Sequence, residues 1–340
     1  MFHIWNYCAW ITLLLSTFAL VNAGFNSQKL NCTKIIVDQS GHGNFSAVQA
    51  AIDHIPKHNK DWVCIFIKVG IYREKVIIPK DKPFIMLKGD GMWKTKIVWG
   101  DHGRLFHTAT LSSFAENFVA IGIGFTNTHN HQIFVINDVS RLPASAILLK
   151  GDKASFYKCG FFGLQDTLYD NKGRHYFKDC TIEGAVDFIC GDGQSIYERC
   201  TISVNAAMLG HNKIGYITAQ KRSASKEASG FVFKKCEVSG NGKAYLGRPW
   251  GRYSRVLFYQ TFLSNVIVPE GWDTWNARPN KEDTTYAELD CFGPGSELSG
   301  RVPWVNEMDE STWEKLTSTS FIDAEGWLKE QQSIFNAFLA

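Results

Sequence analysis

The sequence contains no Cys-x-x-Cys pair, so the spacing that most directly signals a tetrahedral metal site is missing. It also has little charge of either sign in excess. Lys plus Arg number 36 and Asp plus Glu 33, for a net charge of +3. That is too weak a balance for a nucleic-acid binder, but it is compatible with an acidic polymer as substrate. The first 23 residues carry no Lys, Arg, Asp or Glu. Within them, the apolar run from Trp10 to Val21 falls short of the ~20 residues a membrane span needs. Val21-Asn22-Ala23 then offers a small-residue cleavage site before Gly24. Residues 1–23 are therefore expected to be a secretory signal peptide, although the usual positive charge at its start is absent. No linker divides the remainder of the chain. A lead-in over 24–33 and one domain over 34–340 are expected.

The chain has 340 residues, of which 45% are apolar and 14% aromatic, so a sizeable core can form. Two sequons, Asn31-Cys32-Thr33 and Asn44-Phe45-Ser46, mark Asn31 and Asn44 as candidate glycosylation sites in a secreted chain. Removal of Cys8 with the signal leaves eight cysteines, an even number that permits disulfides.

A short phrase recurs: Phe156-Tyr157-Lys158-Cys159, Phe177-Lys178-Asp179-Cys180, Tyr197-Glu198-Arg199-Cys200 and Phe233-Lys234-Lys235-Cys236. Its alternation suits half-buried strands, and its period near 20 residues predicts a parallel β-helix. Ser46 to Ile55 has helical spacing with Ser46 as N-cap, and this helix is expected to close the open end of the solenoid. From Ser311 onward, sparse helical patterning predicts a tail packed along the outside. The fold class is thus all-β, a solenoid with an N-terminal capping helix and a C-terminal helical tail. The repeat lays Cys159, Cys180, Cys200 and Cys236 along one ladder, where neighbours could pair. Gly210 to Ser229 is expected to leave the solenoid as a long excursion. Thr126 to Pro143 reads as a polar loop, and His129 and His131 within it as solvated rather than metal-binding.

Asp166 and Asp187 are separated by the same 21 residues as Cys159 and Cys180. On neighbouring coils they would lie side by side, about 4.8 Å apart. Two carboxylates so close cannot both ionise easily, so one stays an acid and the other a nucleophile or base. Arg248, held between Gly247 and Pro249-Trp250, is the candidate that fixes which is which. The spacing alone suits a retaining glycosidase as well as acyl transfer by a carboxylate nucleophile. Gln165 favours acyl transfer, because its amide could hold an oxyanion.

These residues sit in phrases that resemble the pectin methylesterases, particularly those of plants. The phrases are Asp38-Gln39-Ser40-Gly41, Gly70-Ile71-Tyr72-Arg73-Glu74, Gln165-Asp166-Thr167-Leu168-Tyr169, Asp187-Phe188-Ile189-Cys190-Gly191 and Leu246-Gly247-Arg248-Pro249-Trp250. The resemblance covers roughly residues 34–330. The chain is expected to be of the type without the inhibitor-like pro-domain found before many plant members. The resemblance implies a right-handed parallel β-helix that de-esterifies methyl-esterified homogalacturonan in the cell wall. It implies Asp187 as nucleophile, Asp166 as acid and then base, Gln165 as oxyanion donor and Arg248 as the partner that orients Asp187. It places Trp250, Trp275, Tyr169 and Phe106 along the sugar-binding groove. No metal or organic cofactor is implied. Pectin and a proteinaceous pectinesterase inhibitor are the partners to expect, and the chain is expected to be a monomer. The resemblance also implies a Cys200–Cys236 disulfide, with Gly124 where the family has a cysteine partner for Cys159.

The sequence departs from the family at several points. Pro143 stands in place of a second oxyanion glutamine, and proline brings neither a side-chain donor nor an N–H. Gln132 and Ser145 are the nearby residues that could substitute. Cys190 replaces a groove phenylalanine, and Leu164 stands where an aromatic is common. Asp192 replaces an asparagine and adds a negative charge near the acid pair. A slow enzyme, or a weakened β-helix that binds pectin or an inhibitor without turnover, is the alternative these changes raise.

Overall fold

The computed structural model describes residues 32–129, 142–275 and 283–337. The expected signal peptide, Asn31, His131 and Gln132 lie outside the described residues.

Three parallel sheets of ten, eight and seven strands wrap one core. Each complete coil contributes a strand to each sheet in turn, and the repeat of the sequence is its cause. Phe156 pairs with Phe177, Phe177 with Tyr197, and Tyr197 with Phe233. Their rings stack inside the solenoid at centroid distances of 4.9, 4.6 and 4.6 Å, tilted by 11° or less. Phe258 extends the stack at 4.5 Å from Phe233. Each aromatic is followed two positions later by a residue with positive φ: Lys158 (52°), Asp179 (54°), Arg199 (51°) and Lys235 (54°). The left-handed residue turns the chain sharply into the next sheet, and the cysteine after it drops into the corner. Aromatic, turn and thiol thus explain the recurring phrase position by position.

The capping helix spans Val48–His54 and buries Val48, Ala51 and Ile52 against the end of the core. Ser46 is not its cap. Glu74, from the next coil, accepts from the N–H groups of Val48 and Gln49 at 2.8 Å each. A carboxylate reaching two free N–H groups satisfies the helix start better than one hydroxyl.

Two helices form the tail, Glu310–Thr317 and Trp327–Ala337. Trp313, Leu316, Trp327, Leu328 and Phe335 cover the outer face of the ten-stranded sheet, where Phe335 stacks 4.2 Å from Tyr157. Arg174 ties the tail to the coils through Glu325 at 2.6 Å and Asp152 at 2.6 Å. The excursion expected over 210–229 is interrupted, because Ile214–Gln220 forms a full strand of the seven-stranded sheet. Its apolar Ile217 and Ala219 outweigh the surrounding lysines and serines.

The cysteine pairing differs from expectation. Cys32 and Cys64 are bridged, with Cα atoms 5.9 Å apart. Cys200 and Cys236 are free thiols, as are Cys159 and Cys180. They do lie on one ladder, but in-register residues on parallel strands point their Cβ atoms the same way. A spacing near 4.8 Å then exceeds the ~3.8 Å between Cβ atoms that a disulfide prefers. Each sulfur instead meets a carbonyl, as Cys236 does at Tyr197 (3.2 Å) and Cys200 at Phe177 (3.6 Å). Gly124 does not face Cys159 either; it pairs with Gly160, which leaves Ile123 opposite the thiol.

Candidate active site

The seven-stranded sheet carries the site on its outer face. Gln165 bridges Val186, and Leu168 pairs with Ile189. Both pairs have the 21-residue offset, so Asp166 and Asp187 stand opposite each other on adjacent rungs. The same register continues the row to Tyr216 and Tyr245. Both aspartates have positive φ, 56° and 47°. Such a conformation costs about 1–3 kcal/mol for a residue other than glycine, and strain of this kind gathers at functional sites. Here it lifts each carboxyl out of the pleat toward the groove at the same height on successive coils.

Both aspartates are nearly buried, at 7% and 6% exposure. Arg248 donates from Nε to Asp187 Oδ1 at 2.8 Å and from Nη2 to Oδ2 at 2.6 Å. Its guanidinium lies 3.9 Å from the ring centres of both Tyr216 and Trp275. Arginine alone has the planar fork for a bidentate grip combined with stacking on both faces. Burial, and then the charge of Asp187, push the Asp166 carboxyl up to about 8. Arg248 and hydrogen bonds from Gln165 and Cys190 pull against them without winning. Burial also raises Asp187, but two hydrogen bonds and the charge of Arg248 oppose the rise. The pair is therefore asymmetric: the Asp166 carboxyl is pushed up to about 8, whereas the rise at Asp187 is opposed by the cation that grips it.

The expected groove aromatics converge. Tyr169 lies 5.3 Å from Phe106 and 6.4 Å from Trp250, centre to centre. Phe106 is 47% exposed and Trp250 36%, whereas Tyr169 is buried beneath them. Trp275 packs against the apolar cluster that contains Tyr169 and forms one wall of the Arg248 clamp. Tyr216 and Asp273 were not expected. Tyr216 supplies the other wall and bonds to Asp273, whose charge in turn raises Asp187. Asp273 lies in the tryptophan-rich phrase Gly271-Trp272-Asp273-Thr274-Trp275, but Tyr216 has no sequence signal beyond its place on a strand.

Among the departures, Pro143 is half-buried and its carbonyl accepts from Gly103 N–H at 2.9 Å. Ser145 is fully buried on the rung before Asp166, and its Oγ has no hydrogen-bond partner among the described residues. Cys190 pairs with Tyr169 across the rungs and its thiol meets Asp166. Asp192 is turned away, accepting from Ser229 Oγ at 2.5 Å. Leu164 is buried. Asn44 is exposed but its side chain accepts from Ile36 N–H at 2.8 Å.

The pectinesterase family model matches residues 34–325. Probable pectinesterase 55 of Arabidopsis thaliana is 49% identical over 298 residues, covering 87% of this chain and 90% of that protein. Probable pectinesterase 29 of the same plant is 48% identical, covering 87% and 89%. Among solved structures, pectin methylesterase from carrot superposes with a TM-score of 0.80 at 31% identity, covering 88% of this chain and 95% of that one. The chain belongs to the pectinesterase family, and its fold is the right-handed parallel β-helix. Family and fold together support an esterase that acts on pectin.

Proposed function

We propose that the protein is a secreted cell-wall enzyme that removes methyl groups from homogalacturonan through an aspartyl ester-exchange mechanism. The carrying observation is the in-register pair Asp166 and Asp187 with Arg248 forked onto only one of them. The ionised Asp187 attacks the ester carbonyl carbon. The oxygen that gains charge is held by the Gln165 amide. Protonated Asp166 gives its proton to the leaving methoxide, and methanol departs. The galacturonyl group is now joined to Asp187 as an anhydride. Asp166, now ionised, takes a proton from water, and the hydroxide formed cleaves the anhydride. The product leaves as the carboxylic acid, which loses its proton to solvent, and both aspartates return to their starting states.

The Cys32–Cys64 bridge fits an oxidising compartment, in keeping with secretion. Among the described residues no helix is long and apolar enough to cross a membrane. Phe106 and Trp250 suit the faces of pyranose rings, whereas Tyr169, buried beneath them, supports the two rings and does not itself meet a sugar.

Pro143 favours a second reading, in which turnover is weak and pectin or inhibitor binding dominates. Loss of one oxyanion donor typically costs about 100- to 1,000-fold in rate. Methanol release from highly methylated pectin, beside an Asp187→Ala control, separates the two. Release abolished by the substitution supports the enzyme. Tight pectin binding with no methanol from the native chain supports the binder.

A further inference from the structure

The residues immediately after the strands of the seven-stranded sheet form a row along the solenoid axis. Lys150 follows Ile147–Leu149, Asn171 follows Leu168–Asp170, Asp192 follows Ile189–Gly191, Lys221 follows Ile214–Gln220, and Trp250 ends the row after Lys243–Pro249. Rung-to-rung hydrogen bonds hold this row in register, as from Asp192 N–H to Asn171 and from Trp250 N–H to Gln220. Lys150 and Lys221 are three rungs apart, or about 14 Å at the spacing of parallel strands.

Each lysine stands over an outer ring of the aromatic stripe. Lys150 Nζ lies 5.7 Å from the centre of Phe106, and Lys221 Nζ lies 4.5 Å from the centre of Trp250. Since Phe106 and Trp250 flank Tyr169, the two ammonium groups bracket the stripe. Among the described residues neither lysine has a carboxylate within ion-pair distance; Asp192, the acidic group nearest Lys221 in the row, is bonded to Ser229. The ring faces of Phe106 and Trp250 hold the two ammonium groups in place but leave their charge without an ion-pair partner among the described residues.

A methyl-esterified uronate is neutral and gains little from an ammonium group, whereas a free uronate carries the charge an ammonium binds. The reaction converts the first into the second. We propose that Lys150 and Lys221 are specificity-determining residues that bind free carboxylates on sugars flanking the ester being cleaved, so that partly de-esterified chains are preferred. This rests on the reaction proposed above.

The test compares methanol release from highly esterified and partly de-esterified pectin of equal length, at matched ester concentration. Native protein, Lys150→Gln, Lys221→Gln, the double variant and a Lys329→Gln control on the tail helix are measured together. An exposed ammonium–carboxylate pair is worth about threefold at low salt. The double variant is expected to lose about tenfold more kcat/KM on the partly de-esterified chain than on the esterified one, mainly through KM. Added salt should erase the difference, and the control should keep the native ratio. An unchanged ratio between the two pectins in the double variant overturns the proposal. If the native chain releases no methanol at all, the reaction reading fails. Calorimetric binding of fully de-esterified polygalacturonate then decides the lysines separately: weaker binding by the double variant supports their role, and equal binding refutes it.

Discussion

Arg248 grips Asp187 with two near-parallel hydrogen bonds, 2.8 and 2.6 Å long, although the residues are 61 positions apart in the chain. The guanidinium cannot swing away, because Tyr216 and Trp275 hold its two faces. A cation fixed on one member of an acid pair sets the direction of the proposed chemistry.

Arg248→Gln should remove the one strong force opposing the raised pKa of Asp187. Asp187, the proposed nucleophile, would then stay protonated to higher pH, and the acid limb of the kcat/KM profile should move upward. Arg248→Lys keeps the charge but loses the fork, and should shift the limb less. A pH–rate profile with an unmoved acid limb in Arg248→Gln would refute the assignment. Because a buried charge is left unpaired, about 3–5 kcal/mol of stability should be lost as well, readable by denaturant titration.

Asp166 should set the alkaline limb. With its pKa pushed up to about 8, it is protonated and able to donate below that pH. Methanol release in the first turnover should therefore decline above about pH 8. After donating, Asp166 is already ionised, so the hydrolytic step adds no second limb there. In Asp166→Asn the remaining slow release should lose the limb altogether.

Oxyanion support should be limiting. Gln165→Ala is expected to lower kcat by about 100- to 1,000-fold with little change in KM. Pro143→Gln is expected to raise kcat above the native rate. Ser145→Ala tests whether the buried, unpartnered hydroxyl on the rung before Asp166 already serves in place of that glutamine; an unaffected kcat would exclude it.

A second titratable site lies in the core below the groove. His175 Nδ1 meets Asp170 Oδ1 at 2.5 Å and Nε2 meets the Gly151 carbonyl at 2.8 Å, while Tyr197 donates to the other Asp170 oxygen at 2.7 Å. Burial alone would lower the imidazole's pKa, but the Asp170 charge and hydrogen bond, with the Gly151 carbonyl, carry it above the ordinary value. A raised folded-state pKa means stability that is fully present below pH ~6.5 and lost as pH rises through the folded value. Melting temperature should fall over that window in the native chain and flatten in His175→Gln. A native curve without this slope would show the imidazole is neutral.

Disulfide mapping by mass spectrometry should find Cys32–Cys64 bridged and Cys159, Cys180, Cys190, Cys200, Cys236 and Cys291 as thiols. Recovery of a Cys200–Cys236 peptide pair would overturn the geometric argument that in-register parallel neighbours do not bridge.

The 21-residue echo determined much by itself. A period shared by aromatics, cysteines and aspartates fixes the coil length. Equal coil length places Asp166 beside Asp187, since parallel rungs stack residue on residue. The outer positions of Trp250 and Phe106 followed from the family resemblance, and the tail along the solenoid's flank from the helical patterning after Ser311. What the period could not carry was direction and environment. It put Cys200 next to Cys236, but the common direction of their Cβ atoms left them as thiols. It gave no sign that Glu74 would cap the first helix, or that Tyr216 would clamp Arg248 from a strand hidden in a lysine- and serine-rich stretch. The inequality of the two aspartates is likewise a tertiary property. Their local sequences make both plain carboxylates; burial and the neighbouring Asp187 charge drive Asp166 up to about 8, while an arginine brought from 61 residues away opposes the rise at Asp187.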